Sequence, residues 1–175
     1  SNPAGTFTRN LHYWSAQVFF IFSILHVYDH FYKKTETNIR NRRTWTLLVI
    51  VLIFLGYEMI SGFILKGDPA GIQARRILTS LFESFKKKKK MLNALLAGTE
   101  DNQQVVYIQH VATGTILLFI AVYDHVKTIW PKRKSWLIVL GFLLILSFLF
   151  RAPLGQADST IVKGPWFFVG IQEML

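Results

Sequence analysis

Four of the five histidines in this chain fall into two pairs of nearly equal spacing. His12 and His26 are 14 residues apart, and His110 and His125 are 15 apart. At about 100° per residue, 14 helical steps stop roughly 40° short of four turns and 15 steps pass them by roughly 60°. Each pair therefore presents its imidazoles to one side of a helix, separated by rises of about 21 Å and about 22.5 Å. On two helices running in the same direction, His12 is level with His110 and His26 with His125. Such rungs suit bis-His ligation of haem iron, with each porphyrin lying between two helices and buried by their apolar side chains. Structural zinc is the competing metal reading, but it needs four ligands around one ion, which separated rungs do not supply. Any single His could instead be a satisfied core residue; a matched set of four is harder to explain that way. With no Cys in the chain, thiolate metal sites, iron-sulfur clusters and haem attached through a CxxCH motif are excluded.

His30 complicates the pairing, because Val27-Tyr28-Asp29-His30 recurs as Val122-Tyr123-Asp124-His125. His12 to His30 rises about 27 Å, roughly 4.5 Å more than the other helix offers, so His26 is the better partner. His30 is then a surface-level group near the second rung, available to a haem propionate, to a quinone, or simply to interfacial water.

The elements that must carry these residues are apolar blocks. Of 175 residues, 51% are hydrophobic and 17% charged, below the roughly 25% charged of a soluble domain. Four blocks stand out, at residues 11–32, 45–65, 105–130 and 135–150. A membrane span needs roughly 20 residues, with about 17 as the lower limit, so the last block must use Trp136 and Arg151 as interfacial ends. All four are expected to be helices, since an open strand edge does not survive in lipid. No signal-peptide cleavage pattern precedes residue 11, so the first block is expected to be a mature span. The net charge of +10 lies between the blocks, which suits lipid headgroups better than nucleic acid. Lys33, Lys34, Arg40, Arg42 and Arg43 in one short loop, and Lys127, Lys132, Arg133 and Lys134 in another, place both loops in the cytoplasm. The long loop at 67–104 is itself basic and weakens that count. Within it, Ile72, Ile77, Leu78 and Leu81 recur at helical spacing beside Arg75 and Arg76, as in a helix lying on a membrane surface. The lysine run at 86–90 reads as a solvated or lipid-facing stretch.

Arg9-Asn10-Leu11-His12, followed 14 residues later by His26, resembles the second helix of cytochrome b, the di-haem subunit of quinol:cytochrome c and plastoquinol:plastocyanin oxidoreductases. The wider second pair resembles the chloroplast and Firmicute branch. Gly62-Phe63-Ile64-Leu65 into Gly67-Asp68, with Ala74 and Ile77 beyond, is similar to the segment leaving the family's third helix. Lys163-Gly164-Pro165-Trp166-Phe167-Phe168 resembles the region of its Pro-Glu-Trp-Tyr motif. The likeness implies an all-α membrane protein in which four transmembrane helices form a di-haem cytochrome b type bundle. An amphipathic surface helix lies between the second and third spans. Residues 1–152 would be the di-haem domain, and 153–175 the start of the family's C-terminal region.

By the same resemblance, two non-covalent b haems are held by His12 with His110 on the outer side and His26 with His125 on the inner side. Arg9 stands where the family binds a propionate, and Lys33, Lys34 and Lys127 could serve the inner haem. Gly114, Gly62 and Gly56 could clear space for porphyrin, or could serve helix packing through small residues. Glu58, about level with His12, is the candidate acceptor for a quinol proton, with a hydrogen-bonded structural carboxyl as the alternative. Quinone, lipid, a Rieske or cytochrome c type protein and a companion helical subunit are the implied partners, without nucleic acid. The implied setting is a multi-subunit complex of the bacterial inner membrane, with a dimer as one form it could take. Nothing corresponds to the family's first helix and nothing follows the terminal motif, so a split or shortened form is expected. Pro165 stands where the family's motif has Glu, and the Cys that anchors an extra haem in the chloroplast branch is missing. Two other classes stay open: a di-haem anchor linking a dehydrogenase or hydrogenase to quinone, and a haem-free transporter or assembly protein.

Overall fold

A computed structural model describes residues 2–34, 42–83, 103–125, 132–154 and 165–168. These form five helices: α1 Pro3–Tyr32, α2 Arg42–Leu65, α3 Pro69–Glu83, α4 Gln103–His125 and α5 Arg133–Leu149. A 3-10 turn, Trp166–Phe168, follows. No strand occurs among the described residues. The four apolar blocks are the cores of α1, α2, α4 and α5, and α3 is the helix expected in the long loop. One described helix, over Trp45–Leu65, is long and apolar enough to cross a membrane, with a hydropathy of 2.4. The polar positions Asn10, His12 and Gln17 dilute α1, and α5 has only 17 residues. The lysine run at 86–90, Lys127 and Lys163 lie outside the described residues, as does the side chain of His125.

The chain divides into two compact units, residues 1–51 with 121–153 and residues 52–120 with 154–175. In the first, α1 is started by Asn2, whose side chain accepts from the Ala4 amide at 3.1 Å, with Pro3 beginning the helix. This is the residue pair favoured at a helix start, because an otherwise orphaned N–H is satisfied and proline's missing one is not needed.

α1 is fastened to the end of α5 by polar side chains. Asn10 is buried, donating to the Ser147 carbonyl at 3.1 Å and accepting from the Ala152 amide at 3.0 Å. Trp14 Nε1 donates to the Phe150 carbonyl at 2.9 Å, and the two rings meet edge to face. The last carbonyls of a helix have no partner within it, so α1 supplies caps that α5 lacks. In α1 and α5 the distribution is the reverse of a water-soluble core. Asn10, Gln17 and Ser147 are buried, while Phe22, Ile138 and Phe148 are exposed, the last at 83%.

The second unit is organised by the turn from α2 into α3. Gly67 takes φ +67°, the left-handed conformation that glycine adopts without steric cost, and its amide returns to the Ile64 carbonyl at 3.2 Å. Asp68 then caps α3 by accepting from the Gly71 amide at 2.9 Å, and its other oxygen pairs with Lys66 at 2.9 Å. A Cβ at Gly71 would lie 2.4 Å from the Phe63 carbonyl oxygen, so this crossing admits no side chain. The α3 stripe is turned to this use: Ala74, Ile77 and Leu78 are buried with Met59, Ile60, Phe63, Ile64 and Val106, while Ile72 faces outward. Phe167 stacks edge to face on Phe63, and Lys66 sits over the same ring.

Two substitutions test this packing. Gly71→Ala is expected to cost about 1–3 kcal/mol, the usual range for overpacking. Asn10→Ala, which strands a carbonyl and an amide, is expected to cost about 1–3 kcal/mol for each group left unpaired. Both are read as lower thermal unfolding midpoints in detergent by circular dichroism.

Candidate functional site

α2 and α4 each carry polar residues at a spacing that puts them on one helical face. On α2 these are Glu58 and Ser61, three apart, and on α4 they are His110, Thr113 and Gly114. Residues three and four apart on a helix are neighbours, so each helix contributes a ready-made cluster. The two clusters meet in the second unit. Nδ1 of His110 lies 2.9 Å from Oε2 of Glu58 and 2.9 Å from Oγ of Ser61. The other carboxylate oxygen of Glu58 is hydrogen-bonded to the Thr113 hydroxyl. Thr113 also contacts the Gln109 carbonyl at 2.6 Å.

In the Nδ1–H tautomer the ring nitrogen donates toward Oε2 of Glu58 and Oγ of Ser61, whose hydroxyl can turn to the Glu58 backbone carbonyl at 3.1 Å, and the lone pair lies on Nε2. This is the form in which histidine binds a metal, with its remote N–H held by a carboxylate or hydroxyl.

Both flanking glycines belong to this arrangement. A Cβ at Gly62 would stand 3.4 Å from Cε1 of His110, and one at Gly114 would stand 3.3 Å from Oε2 of Glu58. Gly56 has no neighbour within 4 Å of the corresponding position. Ser61 is fully buried, whereas His110 and Glu58 keep side-chain exposures of 19% and 13%.

The remaining candidates lie on α1. His12 and His26 are both exposed, on the side away from the face that holds Asn10 and Gln17. The helical angle agrees, since His12 and His26 stand about 200° and about 160° from Asn10. Arg9, one turn before His12, is exposed too. His26 meets His30 edge to face with ring centroids 4.6 Å apart, so His30 contacts the expected ligand directly. His125 is the last residue of α4.

The structure thus brings together Glu58, His110, Gly62 and Gly114, and adds Ser61 and Thr113. Those two were readable only as the i+3 companions of Glu58 and His110. Each unit by itself offers donors of the kind haem takes: in the second, an imidazole whose Nδ1 meets a carboxyl and a hydroxyl, and in the first, two imidazoles on one exposed face of α1 with Arg9 a turn before His12.

Thr113→Val keeps shape but removes the donor to Glu58, at an expected cost of about 1–3 kcal/mol. In a double-mutant cycle with Glu58→Leu, the combined loss in thermal stability should fall short of the sum by about 0.5 kcal/mol or more. Additive losses would show that the two side chains do not interact.

A family model described as Cytochrome b/b6/petB matches residues 3–126 of the chain. No curated protein and no solved structure matches it.

Proposed function

Because this chain belongs to the cytochrome b family, we propose that it is the electron-carrying subunit of a quinone-linked membrane complex, holding two b haems through His12, His26, His110 and His125. Membership of the family brings haem binding, electron transfer and membrane association. The count of haems, the four ligands and the pairing of His12 with His110 and His26 with His125 are our reading of the helical register.

Bound haem supplies a one-electron carrier whose potential is set by its axial ligands and surroundings. The chain's residues do the rest. His110 is held by Glu58 and Ser61 with its lone pair on Nε2. α1 sets His12 and His26 on one face, 14 residues apart, and offers Arg9 for charge-assisted hydrogen bonds to a propionate. We read α1, α2, α4 and α5 as four membrane spans. Their exposed apolar side chains, and the polar fastening of α1 to α5, suit hydrocarbon, where polar groups hold helices together and apolar groups face outward. In this reading electrons pass across the bilayer between quinone and partner redox subunits.

The observation that carries the proposal is the carboxyl and hydroxyl that meet Nδ1 of His110 at 2.9 Å each, which suits that imidazole to bind a metal through Nε2. Pyridine haemochrome analysis of the purified chain is expected to count two haems per polypeptide. His110→Ala and His26→Ala should each lose one. A colourless preparation without a Soret band would sink the reading.

A second reading, a di-haem anchor for a dehydrogenase or hydrogenase, is favoured by Pro165. By the resemblance of residues 163–168 to the family's motif, this buried residue replaces a carboxylate, and proline cannot take a quinol proton. Copurification separates the two: a Rieske protein and a helical companion support quinol oxidation, and a nickel or molybdenum enzyme supports the anchor.

A further inference from the structure

We infer that Glu58 is a positioning residue for His110, whose carboxyl accepts the Nδ1 proton of the imidazole and thereby sets the donor strength of Nε2 toward iron. This rests on the proposal that His110 is a haem ligand, and it assigns Glu58 a role other than that of a quinol base.

Three observations carry it. Oε2 of Glu58 lies 2.9 Å from Nδ1 of His110. The second carboxylate oxygen is bound to Thr113, so both oxygens are engaged within the α2–α4 contact. Gly114 leaves room beside the same carboxylate, since a methyl carbon added there would stand 3.3 Å from Oε2 and would require a shift of a few tenths of an ångström. The carboxyl is held on its two oxygens, by His110 and by Thr113, in the position that serves the ring.

The consequence follows from ligand chemistry. A hydrogen bond from Nδ1–H to a carboxylate or hydroxyl raises the basicity of the opposite ring nitrogen and fixes the ring's orientation. A more basic ligand stabilises ferric over ferrous iron and lowers the potential of that haem. Ser61 shares the proton, but its hydroxyl is a weaker acceptor than a carboxylate. Glu58 thus tunes the haem that His110 would bind without changing the ligand type.

The test uses the full chain in its membrane, comparing wild type with Glu58→Leu and Glu58→Gln by potentiometric titration, by ferric low-spin electron paramagnetic resonance and by haemochrome. In Glu58→Leu one of two transitions is expected to move upward by about tenfold in the ferric-to-ferrous ratio, which is about 59 mV for one electron. Its low-spin signal should shift while the other haem stays unchanged. Glu58→Gln should move the same transition in the same direction by less. Two haems with unshifted transitions and signals in both variants would overturn the inference, even if quinol oxidation slowed, which is the behaviour of a quinol base. If both variants lose a haem, Glu58→Asp decides. Recovery of that haem supports the carboxyl as the partner of His110, and continued loss overturns it. A wild-type chain without haem would instead remove the ligation proposal itself.

Discussion

The contact on which the proposed chemistry depends is the one between Glu58 on α2 and His110 on α4. A carboxyl and an imidazole lie 2.9 Å apart among apolar side chains, where an unmet polar group is expensive. The cost is offset because every partner is itself satisfied. Ser61 turns its hydrogen to a backbone carbonyl and its oxygen to the ring, and Thr113 takes the remaining carboxylate oxygen. With the proton on Nδ1, such a network sets one orientation of the ring. Glycine at 62 and 114 follows from the same contact, since each stands where a methyl group would press on the pair.

The second unit is built to keep that contact in register. α2 ends in a left-handed Gly67 and reverses at once into α3, whose start is capped by Asp68 and whose first turn crosses α2 at Gly71. Ala74, Ile77 and Leu78 then bury the last two turns of α2. A helix end fixed by a tight reversal frays less than a free one, so the polar face at Glu58 and Ser61 is held one to two turns from a secured terminus. In the first unit the fastening is different in kind. Asn10 and Trp14 cap the closing carbonyls of α5, leaving the opposite side of α1 to His12 and His26.

These two devices share a logic suited to apolar surroundings. Where water does not compete, hydrogen bonds between helices give orientation, and apolar surface need not be hidden. The exposed Phe, Ile and Leu side chains of α1, α4 and α5 accompany buried Asn, Gln and Ser. The family match over residues 3–126 gives this pattern its setting, a membrane-associated protein that binds haem and moves electrons.

The positions of the helices were legible in the sequence because apolar block length and helical periodicity are local properties. The blocks at 11–32, 45–65 and 135–150 fall within or beside α1, α2 and α5, and α3 appears where Ile77 and Leu78 repeat. The histidine spacing was local too and suggested haem, which membership of the family supports. What the sequence could not decide is which polar side chains meet across helices. Glu58 read as a proton acceptor or, more readily, a structural carboxyl, and Gly62 and Gly114 equally as porphyrin clearance or packing. Only the tertiary contact joins Glu58, Ser61, His110 and Thr113, because residues some 50 positions apart are brought within hydrogen-bonding distance by helix packing, which no periodicity in one segment encodes. Asn10 likewise reads as a plain neighbour of His12 until the end of α5 lies against it.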